Sequence, residues 1–306
     1  MDKSQVLDKI RNITVNRSGE RRAPHKPLLL WLPIARHLQG QRNIPFTDVE
    51  KSLGPLLNAY APPVQGRHQP ELPYWHLQTD QLWEVSSADD LPRQTGGFPR
   101  IPALRETSGH LEGSFAESLL ADRTLVQQAI HLLLEEHFPE SLHEDIVAAI
   151  GLGLPEADRI MEQQAGYVIT RRRDPKFREK VLRAYEYRCA ASGFRAALGG
   201  TYFGCEAAHV QWHAQNGPDT VENGMALEPT LHKLFDAGAW SLTDDRRILI
   251  SADFTGTDET VEKVRNLHGR PLRTPQPGES SISVKFIQWH RESSKGGVFR
   301  RPALPL

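Results

Sequence analysis

Three residues constrain this chain more than any other feature: His209, Asn223 and His232, in the run CEAAHVQWHAQNGPDTVENGMALEPTLHKLFDAG from Cys205 to Gly238. Asn223 follows His209 by fourteen residues, and His232 follows Asn223 by nine. The apolar stretch CEAA predicts a strand that ends on His209, and ENG marks a tight turn at Asn223. PTLHKLFDAG predicts a helix, with Pro229 near its start and Gly238 as its stop. His232 and Asp236 are four residues apart, so both side chains are expected to share one helix face, from which they could reach one metal ion. Histidine, with an unperturbed pKa of about 6.5, takes a proton near neutral pH.

The segments EAAHV, NGMAL and LHKLFDAG together resemble an HNH nuclease site, a ββα-metal fold in which a hairpin and a helix grip one divalent cation. The resemblance implies phosphodiester hydrolysis, which needs a base to deprotonate water and a cation to stabilise charge on the phosphate. His209 is then the general base, Asn223 holds the His209 ring or the backbone in place, and His232 completes the catalytic set. Many members carry an acidic residue or histidine immediately before the catalytic histidine, where this chain has Ala208. Asp236, and after it Glu206, is expected to join His232 as a metal ligand, with Mg²⁺ or Mn²⁺ as the cofactor. His213 reads as a neighbour. The chain has two cysteines, Cys189 and Cys205, which rules out a four-cysteine structural zinc; both read as buried thiols.

A chain of 306 residues suggests two domains, and 39% hydrophobic with 25% charged residues is ordinary globular composition. The net charge of -1 hides local basic runs. Residues 1–42 carry nine Lys/Arg against three Asp/Glu, and residues 168–188 carry eight against three, beginning at Arg171-Arg172-Arg173. Such patches neutralise phosphates even on a nearly neutral molecule. No stretch approaches the length of a membrane span and no signal-peptide core is evident, so a cytoplasmic protein without a membrane partner is expected.

The spacing predicts helices over SQVLDKIRNI, over PLLLWLPIARHL with Pro33 kinking it, and over FTDVEKSLGPLLNAY with Thr47 as N-cap. ELPYWHLQTDQLWEV alternates around Tyr74 and predicts a hairpin. TLVQQAIHLLLEEHF and SLHEDIVAAIGL follow as helices, AGYVITRRRDP as a linker or short strand, and FREKVLRAYEYRC as the helix leading into the nuclease. WSLTDDRRILIS predicts a later hairpin, and SISVKFIQWH a strand or the start of a helix.

APHKPLLLWL, LPYWHL with LWEV, TGGFP and LLLEEHFPESLHEDI are, in that order, similar to the sulfur-binding domain of phosphorothioate-dependent, McrA-like restriction endonucleases, where this domain precedes an HNH nuclease. The implied fold is α+β: a mostly helical DNA-reading domain over residues 1–160, then a ββα-metal nuclease domain over 161–306. The implied partner is phosphorothioated double-stranded DNA. A sulfur reader needs a small apolar cup with cations around it. Leu72, Pro73 and Tyr74 are the expected wall, and His76 lines the same face if the segment is a strand. His25 and Lys26 supply donors and charge, Arg22 adds to them from the basic loop, and Arg100 contacts backbone or a base edge. Family members often have arginine where Lys26 stands and tyrosine where Leu72 stands, which predicts altered affinity or sequence context. Two other readings compete: a nuclease directed to methylated cytosine or unmodified DNA, and a non-cutting reader with a degenerate nuclease fold. Cutting both strands with one site per chain makes a homodimer, or two binding events, an expectation.

Overall fold

Nine consecutive residues from Pro27 to Ala35 are buried, which sets one helix at the centre of the N-terminal half. In the computed structural model, residues 1–15, 17–18, 21–64, 66–150, 176–256, 258–292 and 297–305 are described. The expected linker and Arg171–Arg173 lie outside the described residues. The chain divides into two units: residues 1–16, 23–138 and 143–168, and residues 17–22, 139–142 and 169–306.

In the first unit, α1 (Lys3–Arg11) begins on a capping box between Asp2 and Gln5 and packs on the later helix α7 (Arg123–His137). The buried α2 (His25–Leu38) contains Pro33 and packs against α3 (Phe46–Tyr60), α4 (Glu71–His76), α7 and α8 (His143–Ile150). Two short helices, α5 (Ile101–Leu104) and α6 (Gly113–Leu120), complete the helical layer. The basic loop before α2 contains a small hairpin of β1 (Arg17–Ser18) and β2 (Arg21–Arg22), with Arg17 paired to Arg22; it belongs to the second unit. Strands β3 (Ile44–Pro45), β4 (Trp83–Val85) and β5 (Ser108–Leu111) form an antiparallel sheet in the order β3-β5-β4. Gly109 lies under the Trp83 indole, where a Cβ would stand 2.0 Å from a ring carbon.

Two expectations fail here. ELPYWH is helix α4, followed by a 3-10 turn at Leu77–Asp80, and only Trp83–Val85 is a strand. Glu71, Tyr74 and Leu77 are buried three residues apart, a helical spacing that overrides the local alternation. Thr47 is not an N-cap, because α3 starts at Phe46 behind Pro45 with no side-chain cap.

The second unit is built on α9 (Phe177–Ala184), the hairpin β6 (Ala196–Leu198) and β7 (Thr201–Phe203), and the hairpin β8 (Glu206–His209) and β9 (Gly224–Leu227). Helix α10 (Pro229–Asp236) and strands β10 (Trp240–Leu242) and β11 (Ile248–Ile250) come next, then α11 (Asp258–Arg265) and α12 (Val284–Arg291). Phe177, Val181, Leu182, Ala208, Met225, Leu227, Leu231 and Phe235 share one apolar core, so helices α9 and α10 both close on the β8–β9 hairpin. Helix α9 ends at Ala184, short of the expected Cys189, because Glu186 and Tyr187 adopt left-handed backbone at φ 52 and 56. The architecture is α+β, with a helical N-terminal half and a ββα arrangement in the C-terminal half.

Candidate functional site

The register of β8 on β9 runs from Glu206↔Leu227 to His209↔Gly224 and delivers His209 at the strand end. Gly224 is required there. A Cβ on it would lie 2.5 Å from Val181 Cγ2 and 3.1 Å from Phe177, so only glycine lets α9 close over the hairpin. The Phe177 ring then stacks on the His209 imidazole at 4.0 Å with an interplanar angle of 16°.

His209 Nε2–H donates to Asp219 Oδ1 at 2.8 Å. Asp219 is a functional candidate that sequence reasoning missed; it arrives on the loop that joins β8 to β9. His213 lies nearby, its ring 5.8 Å from that of His209 and its Nε2 4.0 Å from Asp219 Oδ2. Asn223, fully buried, bonds the loop backbone and not the His209 ring. Its Oδ1 accepts from the Gln211 amide at 2.8 Å, and its Nδ2 donates to the Gln211 and Pro218 carbonyls at 3.0 Å each.

Helix α10 begins with Pro229 at its first turn and stops before Gly238, whose φ of +75 and contact with the Val298 carbonyl leave no room for a side chain. It carries His232 between two carboxylates: Nδ1 stands 2.8 Å from Glu206 Oε2, and Nε2 stands 3.2 Å from Asp236 Oδ2. Burial alone would push the His232 imidazolium down, but the Asp236 and Glu206 carboxylates outweigh it and raise the pKa to about 10. The hydrogen bond from His232 holds the Glu206 carboxyl below its ordinary range, against the opposing effect of burial. The two acids differ in setting. The Asp236 side chain is 2% exposed and accepts from Trp212 Nε1 at 3.0 Å, whereas the Glu206 side chain is 48% exposed.

One imidazole and two carboxylates form a donor set whose charge and hardness fit a divalent cation such as Mg²⁺ or Mn²⁺. Among the described residues, no group of three such side chains already converges on one point. Glu206 and Asp236 instead face different nitrogens of the same ring.

In the first unit, helix α4 sets Leu72 and His76 one turn apart, with Leu72 40% exposed and His76 also exposed. Burial, and after it the charge of Lys26, pushes the His76 imidazolium down. Pro73 is buried. Tyr74, placed in the expected wall, is fully buried: its ring packs on Phe46 and Trp83, and its hydroxyl bonds Thr107 Oγ1 at 2.9 Å. That setting raises its pKa to about 12, mainly through burial. Lys26 Nζ is tied to Asp80 Oδ2 at 2.6 Å, both side chains being largely buried. His25 neighbours His68, with ring centroids 5.6 Å apart. Arg22 stands on β2. Arg100 is exposed in an open depression with Gln94, Thr95, Ile101 and Pro102. Phe98 packs edge-on against Trp75 and tilted against His76, and the Arg93 guanidinium lies over Trp75 at 5.4 Å.

Comparison with curated proteins gave no match. Among solved structures, the chain is similar to the sulfur binding domain of ScoMcrA complexed with phosphorothioated DNA: 22% identity, 48% of this chain, 94% of that chain, TM-score 0.43. A similar domain of SprMcrA, also complexed with phosphorothioated DNA, gives 19% identity over 50% of this chain and 95% of that one, TM-score 0.41. The type IV phosphorothioation-dependent restriction endonuclease ScoMcrA gives 22% identity over 47% of this chain, TM-score 0.38, and the match spans only 32% of that chain. Residues 3–154 match the family of ScoMcrA-like DNA sulfur-binding domains, and residues 189–243 match the HNH endonuclease family. The chain therefore joins a ScoMcrA-like DNA sulfur-binding domain to an HNH endonuclease domain.

Proposed function

We propose that this chain is a modification-dependent restriction endonuclease that binds phosphorothioated double-stranded DNA through residues 1–160 and hydrolyses a phosphodiester nearby with residues 161–306. The observation that carries the reading is the presence of both domain families, in this order, on one chain. His209, held at the end of β8 under Phe177, takes the proton from the attacking water. Asn223 keeps the following loop in place through its three backbone bonds. His232 and Glu206 would hold one divalent cation. When bound, that ion supplies Lewis-acid stabilisation of the phosphate and the leaving oxygen. Glu206 is the better placed carboxylate for an incoming ion because it is half exposed, whereas buried Asp236, bonded to Trp212, orients His232.

On the reading side, sulfur replaces a non-bridging phosphate oxygen and is larger and less strongly hydrated. Exposed Leu72, with His76 one turn on, offers it an apolar wall. An oxygen against the same wall loses water without gaining a partner, so the wall discriminates by desolvation. Exposed Arg100 offers positive charge to a phosphate, whereas Lys26 meets one only by leaving its ion pair with Asp80. Tyr74 acts beneath the surface, holding α4 in place. No described helix is long and apolar enough to cross a membrane; we place the protein in the cytoplasm, where foreign DNA arrives. One nuclease site per chain requires a second copy or a second binding event to cut both strands.

The test is competition binding by the full chain carrying His209→Ala, using matched duplexes with one phosphorothioate, with methylated cytosine, or unmodified. Preference for the phosphorothioate of about tenfold or more, only ~1.4 kcal/mol, supports the reading. Preference for methylated cytosine, or equal binding to all three, overturns it.

A further inference from the structure

We propose that Asp219 is the positioning residue for His209, fixing which imidazole nitrogen receives the proton from water. The inference rests on His209 being the general base. Asp219 Oδ1 accepts from His209 Nε2 at 2.8 Å, and the two side chains are only 13% and 12% exposed. A carboxylate on Nε2–H selects the tautomer whose lone pair is on Nδ1. The same carboxylate stabilises the imidazolium that forms when the proton is taken.

The loop that brings Asp219 to this place is built for it. Asn223 Nδ2 holds the carbonyl of Pro218, the residue immediately before Asp219. The Gln211 side chain donates to the Gln215 carbonyl at 2.8 Å, and the Gly217 amide donates to the Trp212 carbonyl at 2.9 Å. At Gly217 a Cβ would stand 1.9 Å from the Gln211 carbonyl oxygen, so the loop folds back as closely as a backbone can. The ring of His209 is therefore fixed by its strand, by Phe177 on its face and by Asp219 on its edge. Asn223 gains a defined part in the site, because it holds the loop that holds the base.

The step balances without further reagents. Water gives one proton to Nδ1 of His209, and its oxygen forms the new bond to phosphorus. The bond from phosphorus to the leaving oxygen breaks, and its electron pair stays on that oxygen. Nε2–H remains on the ring and Asp219 remains ionised. The titratable groups recorded against the ring are Asp219 and His213 on the loop; of the charged residues on the packed elements, Arg178 on α9 bonds the Cys205 carbonyl and Glu206 on β8 pairs with His232.

Single-turnover cleavage by the full chain, followed against pH, tests the assignment with Asp219→Asn, Asp219→Glu, His209→Ala and the double variant Asp219→Asn/His209→Ala. Asp219→Asn is expected to cut the rate by about thirtyfold or more, with DNA affinity and melting temperature close to the parent. Its acid limb should move to lower pH, because the imidazolium loses its carboxylate. Nitrogen NMR of the metal-free protein should show His209 losing its Nε2–H preference. Asp219→Glu should recover part of the rate, and Asp219→Asn should add nothing to His209→Ala. A rate within threefold of the parent, or a fall in rate with the acid limb and tautomer unmoved, overturns the proposal. If His209→Ala itself keeps cleaving, the general-base assignment fails instead.

Discussion

Gly224 stands directly across from His209 in the β8–β9 register, and the space left by its missing side chain is filled by Val181 and by the Phe177 ring that stacks on His209. A backbone position with no chemistry of its own thus decides how the proposed base is covered. Gly224→Ala should destabilise the nuclease domain by about 1–3 kcal/mol, the usual cost of overpacking. It should also slow cleavage by tilting Phe177 away from the imidazole. Thermal unfolding alongside single-turnover rates checks both, and an unchanged melting temperature would contradict the packing account.

The two carboxylates on His232 should separate in experiment. Glu206→Ala is expected to raise the metal concentration needed for half-maximal cleavage, with little effect on folding, because the side chain is 48% exposed. Asp236→Ala should cost about 1–3 kcal/mol of stability, since it leaves the buried Trp212 N–H without the partner it now has at 3.0 Å. Metal titration of cleavage with calorimetric unfolding distinguishes them. If Asp236→Ala shifts the metal titration and Glu206→Ala does not, the roles are reversed.

Much of this site is legible in the sequence because its punctuation is local. Pro229 and Gly238 bracket the helix, and the Glu206–His209 strand precedes a turn that ends at Asn223. Asp219 is not legible in the same way. Its contact with His209 exists only after Asn223 folds the intervening loop, and no spacing rule encodes that closure. In the first unit, Tyr74 and His76 sit two apart like strand neighbours, yet Glu71, Tyr74 and Leu77 sit three apart like helix neighbours, and burial chose the helix. The β6–β7 hairpin is signalled in the sequence by Gly199-Gly200, which stands between its strands at φ 58 and 83.

On the reading domain, Leu72→Asp should remove the preference for phosphorothioated over plain duplex, because a charged wall no longer favours the less hydrated sulfur. Tyr74→Phe should leave the preference intact and cost about 1 kcal/mol of stability through the lost bond to Thr107. Paired binding and unfolding measurements decide this. A lost preference in Tyr74→Phe would return that ring to the binding surface.

His290 predicts an acid-side weakness. It is fully buried, stacks on Phe235 at 3.7 Å, donates through Nε2 to the Phe235 carbonyl and accepts at Nδ1 from Ser241. Burial depresses its pKa to about 4. The unfolded chain, with a histidine pKa of about 6.5, takes the proton first as pH falls. Its contribution is therefore complete above about pH 6.5 and is lost as pH falls towards about 4, amounting to roughly 3 kcal/mol at most. Replacing His290 with Asn should flatten that part of the stability profile. An unchanged slope in denaturant unfolding between those pH values would contradict the assignment.

The most direct test of the central claim is cleavage of two matched duplexes by the full chain, one with a single phosphorothioate and one with oxygen at the same position. Reactions are run with Mg²⁺ or Mn²⁺, with EDTA, and with His209→Ala as control. The modified duplex should be cut at least about tenfold faster, a difference of ~1.4 kcal/mol, with no cutting in EDTA or by His209→Ala. Equal cutting of both duplexes by the parent, or cutting that survives His209→Ala, would contradict it.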